Sequence, residues 1–131
     1  DPANWRVARS IFVADSDKQA RDYVMAPGSP YRLYYHNLVT KLLMAGRAEA
    51  FKERRDMPDS EVTVDYVIDK LVIWGSPQRV TDKLLAFREE TGDFGTLLYA
   101  GKDWLDRDLG RRSMVLMAEQ VLPAVKAAIG A

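Results

Sequence analysis

Cysteine is absent from the 131 residues, and histidine occurs once, at His36. Without thiols there is neither a disulfide scaffold nor a thiolate metal site. With one imidazole, any metal site would rest mostly on carboxylates, which suit hard ions rather than zinc. Charge of one sign is missing as well: 19 Lys and Arg stand against 19 Asp and Glu. With both signs interspersed, no uniform field draws in nucleic acid or an anionic membrane, and neither partner is expected. Long apolar runs are also missing, since the longest fall far short of the roughly 20 residues that cross a bilayer. Asp1 to Arg6 carry no signal-peptide pattern, so a cytoplasmic location is expected. There is no initiator Met, and the Asp1-Pro2 start reads as a segment of something longer. What is present is 47% hydrophobic residues, the composition of one soluble globular unit over 1–131.

Trp5 to Ala14 (WRVARSIFVA) reads as a strand, because Val7, Ile11 and Val13 are β-branched and IFVA is continuously apolar, as in a sheet covered on both faces. Ser16 followed by Gln19 fits a capping box, which predicts a helix over about 17–25 that Pro27-Gly28-Ser29-Pro30 stops. Tyr31 to Glu53 is mostly helical in pattern, with Tyr35, Leu38, Val39, Leu42 and Leu43 as its stripe and Gly46 as a weak point in its middle. The run FKERRDMPDSE is charged and nearly devoid of apolar residues, so a solvated, mobile connection is expected there.

A short helix or strand over 62–69 then leads to Lys70-Leu71-Val72-Ile73-Trp74. Ser76 is a good N-cap and Pro77 suits N1, so a helix starts there, with Val80, Leu84 and Phe87 on its buried line and Thr91-Gly92 at its end. GTLLYA (95–100) reads as a second fully buried strand. The last helix spans about 111–128, with Pro123 kinking or restarting it. The order is α/β with parallel pairing and right-handed crossovers, yet two strands and a short third make a poor sheet by themselves. Part of a barrel is the natural reading.

Four segments in order, WRVARSIFVADSDKQAR, GSPQRVTDKLLAFREETGDFGTLLYA, DWLDRDLGRRSM and VLMAEQVLPAV, resemble the C-terminal portion of the bacterial-luciferase-like, flavin-dependent monooxygenases. The stretch with YYHNLVTKLLMAGR and MPDSEVTVDYVIDKLVIWGSP looks most like the limonene- and alkanal-monooxygenase-like branch. The resemblance implies an eight-stranded (β/α) TIM barrel, of which this chain supplies the helix-rich last part with two or three strands, against a typical barrel length of about 250 residues. It implies an enzyme that takes reduced FMN from a separate flavin reductase and uses oxygen to oxygenate an apolar small molecule such as a terpene or aldehyde. The protein's share is orientation and exclusion of water. Most phosphate-holding residues of such barrels come from earlier strands, so this chain alone is expected to bind no FMN and to be inactive. A related F420-dependent oxidoreductase and a noncatalytic flavin-binding or assembly module stay open as readings. Unpartnered barrel strands predict a homo-oligomer.

Several residues are candidates for the site. The insertion over about 27–61 takes the place of the family's mobile lid, where Lys52, Arg54 and Arg55 are either groups that close on an anionic intermediate or an ordinary solvated charged face. His36 carries the only imidazole, the side-chain type best suited to proton transfer near neutral pH, so it is a candidate for proton delivery, with a packed histidine as the alternative. Tyr31, Tyr34 and Tyr35 either pack a helix or wall a pocket. Tyr99, Gly101 and Trp104 lie at or beyond a strand's C-terminal end, where barrel active sites sit. Tyr99 faces either the pocket or the helix layer, since strand residues alternate.

Overall fold

A computed structural model describes every residue of the chain except Asp103 and Trp104. A 3-10 turn at Pro2–Asn4 leads into β1 (Arg6–Val13), followed by α1 (Asp17–Met25) and α2 (Pro30–Met44). Turns at Ala48–Phe51 and Asp59–Glu61 carry the chain to α3 (Val64–Leu71), β2 (Val72–Gly75), α4 (Pro77–Thr91) and β3 (Thr96–Ala100). It closes with α5 (Arg107–Leu116), a π-helical turn at Met117–Val121 and α6 (Leu122–Ile129).

Local chemistry sets these boundaries. Ser16 accepts the Gln19 N–H at 3.1 Å, and the Gln19 side chain returns to the Asp15 N–H at 3.3 Å, one residue upstream of the capping serine. Ser-Pro opens two helices, with Ser29 accepting the Tyr31 N–H and Ser76 the Arg79 N–H. The helix expected to run to Glu53 stops at Met44 instead, and Gly46 is the cause. At φ +68° it occupies the left-handed region, Gly46 N–H bonds Leu43 C=O, and Arg47 N–H bonds Leu42 C=O at 2.8 Å. That pair of bonds is a Schellman motif, which closes a helix rather than weakening its middle. Before Pro123, which has no N–H to continue the ladder, the chain takes the wider π turn and then restarts as α6.

The sheet has the order β2-β1-β3 and is parallel throughout. β1 pairs with β3 from Arg6↔Thr96 to Ser10↔Ala100 and with β2 from Ser10↔Val72 to Val13↔Gly75. Its early half thus leans on one neighbour and its late half on the other. Phe12, Ala14, Val72 and Trp74 pack with Val24, Tyr31, Tyr35, Val39 and Ile68 under α1, α2 and α3. Ile11, Val13 and Ile73 pack with Val80, Leu84, Leu116 and Val121 on the opposite face. This double coverage is what makes IFVA apolar at every position.

Two expectations are modified. β3 is an edge strand, so Leu98 on its uncovered face is 60% exposed rather than buried. The charged connection between α2 and α3 is anchored, because Met57, 4% exposed, sits in the first core and Lys52 pairs with Asp59. Met57, with Phe51 packed against the same core, pins a run that composition reads as wholly solvated. No helix among the described residues is long and apolar enough to cross a membrane.

Candidate functional site

Residues paired in register on neighbouring strands share a face, so Ser10 and Ala100 point to the same side of the sheet. α2 lies over that side and brings Tyr34 and Tyr35. Between α2, β1 and the end of β3 opens a pocket of about 270 Å³, with Ala8, Leu38, Leu71 and Ala100 among its apolar lining and Ser10, Tyr34, Tyr35 and Lys102 as its polar corner. It lies at the C-terminal end of β3, the end at which (β/α) barrels carry their chemistry.

The polar corner is tightly specified. Tyr35, 5% exposed, places its hydroxyl 2.9 Å from Ser10 Oγ. Lys102 Nζ donates to the same Ser10 oxygen at 3.0 Å and stands 4.2 Å from the centroid of the Tyr34 ring and 5.9 Å from that of Tyr35. The two rings meet edge to face at 5.0 Å, which presents π density to the ammonium. Among the described residues no carboxylate pairs with Lys102. Burial pushes its pKa below the ordinary lysine value. Burial likewise pushes the Tyr35 hydroxyl up, with its bond to Ser10 pulling the other way. The arrangement sets a half-buried hydrogen-bond donor beside the apolar side chains of Leu38, Leu71 and Ala100 in an open pocket.

Of the residues singled out by sequence, Tyr34 and Tyr35 wall this pocket, and most of the other described ones lie apart from it. Tyr99 faces the opposite layer, its hydroxyl 2.7 Å from Ser113 Oγ on α5. Gly101 links β3 to Lys102, and a Cβ there would meet the Tyr99 ring at an ordinary 3.5 Å. Trp104 lies outside the described residues. His36 is exposed on α2 beside Tyr35. Lys52 pairs with Asp59 and Arg54 with Asp56 at 3.3 Å, while Arg55 is exposed. Of the three tyrosines on α2, Tyr34 and Tyr35 wall the pocket, and Tyr31 packs in the core with its hydroxyl on Ile11 C=O at 3.2 Å. Sequence reasoning passed over Ser10 and Lys102. The signal available was a hydroxyl just ahead of a fully apolar strand run, which needs a buried partner, and a lysine directly after the glycine that ends β3.

Three parallel strands under helix layers, with a pocket at a strand's C-terminal end, match a fragment of the luciferase-like TIM barrel. Among solved structures, the oxygenating constituent of 3,6-diketocamphane monooxygenase from Pseudomonas putida, a type II Baeyer-Villiger monooxygenase in complex with FMN, superposes with a TM-score of 0.78 at 26% identity, covering 95% of this chain and 34% of that one. The chain is 35% identical over 123 residues to 4-hydroxyprotoasukamycin monooxygenase of Streptomyces nodosus subsp. asukaensis, covering 94% of this chain and 31% of that protein. It is 28% identical over 131 residues to limonene 1,2-monooxygenase of Rhodococcus erythropolis, covering 99% and 31%. No family model matches the chain. These relatives are monooxygenases, one of them solved in complex with FMN, and the chain spans about a third of their length.

Proposed function

We propose that the chain is the C-terminal segment of a monooxygenase that takes reduced FMN from a separate flavin reductase and oxygenates an apolar organic substrate such as a terpene or aldehyde. The observation that carries this reading is the fit of 95% of the chain onto an oxygenating subunit crystallised with FMN. When bound, reduced FMN supplies the electrons that activate oxygen.

The described residues fit the substrate side of such a site rather than the flavin. At about 270 Å³ the pocket is small beside the roughly 300–1,000 Å³ of ordinary ligand sites. Among the described residues Lys102 and Arg9 are its cations, and with the Arg9 guanidinium stacked over Phe87 the Lys102 ammonium is a poor stand-in for the several converging donors that a phosphate recruits. On this reading, holding the flavin falls to the two thirds of the relatives' length that this chain does not span. What this chain contributes is an apolar wall from Leu38, Leu71 and Ala100, a fixed ammonium, and partial cover from α2.

The test uses the full-length protein that contains this chain, with a flavin reductase, NADH and FMN, incubated with limonene or decanal under air. We expect an oxygenated product whose formation requires FMN and the reductase. Oxygen use that yields only hydrogen peroxide with every substrate, or turnover only with F420, would contradict the reading.

A further inference from the structure

We propose that Lys102 is a specificity-determining residue: its ammonium, held by Ser10, Tyr34 and Tyr35, donates a hydrogen bond to the one acceptor oxygen of a ketone or aldehyde seated against Ala8, Leu38, Leu71 and Ala100. This deepens the monooxygenase reading and rests on it for the identity of the reaction, though not for the binding itself.

The donor count comes first. An ammonium has three N–H groups, Ser10 Oγ takes one, and the tyrosine rings interact with the charge rather than with a particular hydrogen. Among the described residues donor capacity is left over, and the space beside it is walled in part by the apolar side chains of Ala8, Leu38, Leu71 and Ala100. Half-buried lysines ordinarily recover their desolvation with a carboxylate, and among the described residues Lys102 has none. The position of the charge is also fixed. Tyr35 is buried and hydrogen-bonds Ser10, which itself sits on the central strand, so the ammonium is referred to the sheet rather than to a loose surface.

The choice of ligand follows from the number of charges. Arg9 also borders the pocket, but its guanidinium stands over the Phe87 ring at 4.2 Å on the opposite face of the sheet. A phosphate or dicarboxylate would meet a single cation and apolar walls. A carbonyl compound needs one strong donor and otherwise apolar contact, which is what the pocket presents.

The experiment measures equilibrium binding to the full-length protein by ligand-observed NMR, with norcamphor as the ketone probe and norbornene as a hydrocarbon of similar shape. Lys102→Met should weaken norcamphor about 10–100-fold and leave norbornene unchanged, since a hydrogen bond to a charged donor is lost while the side-chain length is kept. Lys102→Arg should restore part of the affinity, and Ser10→Ala, which unfixes the ammonium and also takes the partner of the Tyr35 hydroxyl, should give a smaller loss. Equal norcamphor binding by wild type and Lys102→Met overturns the inference. So does a parallel loss of both probes, or no saturable norcamphor binding by wild type. Should Lys102→Met not fold, Ser10→Ala and Lys102→Arg carry the comparison. Lys102-dependent ketone binding by a wild-type protein that forms no oxygenated product would sink the monooxygenase reading and leave this inference standing, and product formation with Lys102-independent binding would do the reverse.

Discussion

Ser113 on α5 accepts the backbone N–H of Val13 at 2.9 Å, joining a helix to the end of the central strand across a hundred residues of chain. Ala14 N–H goes to Gly75 C=O on the β2 side, so the odd-numbered residues of β1 turn their backbone groups to the other edge. Pairing with β3 ends at Ala100, which leaves that edge without a strand just where Ile11 and Val13 need partners. Two side chains from opposite layers take over: the Tyr31 hydroxyl on Ile11 C=O and the Ser113 hydroxyl on Val13 N–H.

Ser113→Ala should therefore destabilise the protein by about 1–3 kcal/mol, because it strands a buried backbone N–H and removes the Ser113 contact of Tyr99. Tyr99→Phe, which leaves Ser113 on Val13, should cost less. It should also leave turnover of the full-length enzyme unchanged, since the ring faces the helix layer. Urea midpoints of the two variants check the order, and an equal or larger loss for Tyr99→Phe would contradict it.

The Asp17 carboxylate accepts the Ser76 N–H at 2.8 Å, linking the start of α1 to the cap of α4. That backbone bond, helped by the Ser76 hydroxyl and Arg79 and opposed by burial, holds its pKa below the ordinary 3.8. A depressed carboxylate contributes stability that is present above the unfolded-state value and is lost as pH falls through the folded one. Asp17→Asn keeps an acceptor oxygen and loses the charge, so its deficit relative to wild type should be largest above about pH 4 and shrink at lower pH. Denaturation midpoints against pH would show this, and a gap constant down to pH about 2 would refute it.

Tyr66 on α3 buries its hydroxyl oxygen with no hydrogen-bond partner among the described residues. A buried group of this kind carries its desolvation cost unrelieved, so Tyr66→Phe should be neutral or stabilise by up to about 1 kcal/mol. A clear drop in the thermal midpoint would indicate that the hydroxyl is used.

Among the described residues no further strand pairs with the outer edge of β2 or β3, and Leu98 and Leu105 are 60% and 74% exposed. Open parallel edges flanked by apolar side chains invite pairing, so the 131-residue chain in isolation should form a dimer or larger species at tens of micromolar. Light scattering that returns a monodisperse monomer would contradict this.

Features that depend on near neighbours in sequence could be read from it. Ser16 with Gln19, Ser76 with Pro77, and the IFVA run each declare a cap or a doubly covered strand within a few residues. Gly46 was harder, because a glycine in mid-helix and one that closes a Schellman motif differ only in whether the chain beyond continues the turn. The polar corner was legible only in Tyr34 and Tyr35: Ser10 and Lys102 are 92 residues apart, and only the parallel pairing of β1 with β3 brings them together. Tyr35 announced itself as part of an amphipathic stripe, and only its packed position shows that its hydroxyl reaches Ser10.

Isotope incorporation tests the central claim most directly. With the full-length protein, a flavin reductase, NADH and FMN, turnover of limonene or decanal under ¹⁸O₂ should give a product that carries one ¹⁸O atom by mass spectrometry, and turnover under ¹⁶O₂ in H₂¹⁸O should give a product that has taken its new oxygen from the gas. A product whose added oxygen comes from water, or a substrate recovered unchanged while oxygen is consumed, would contradict the account.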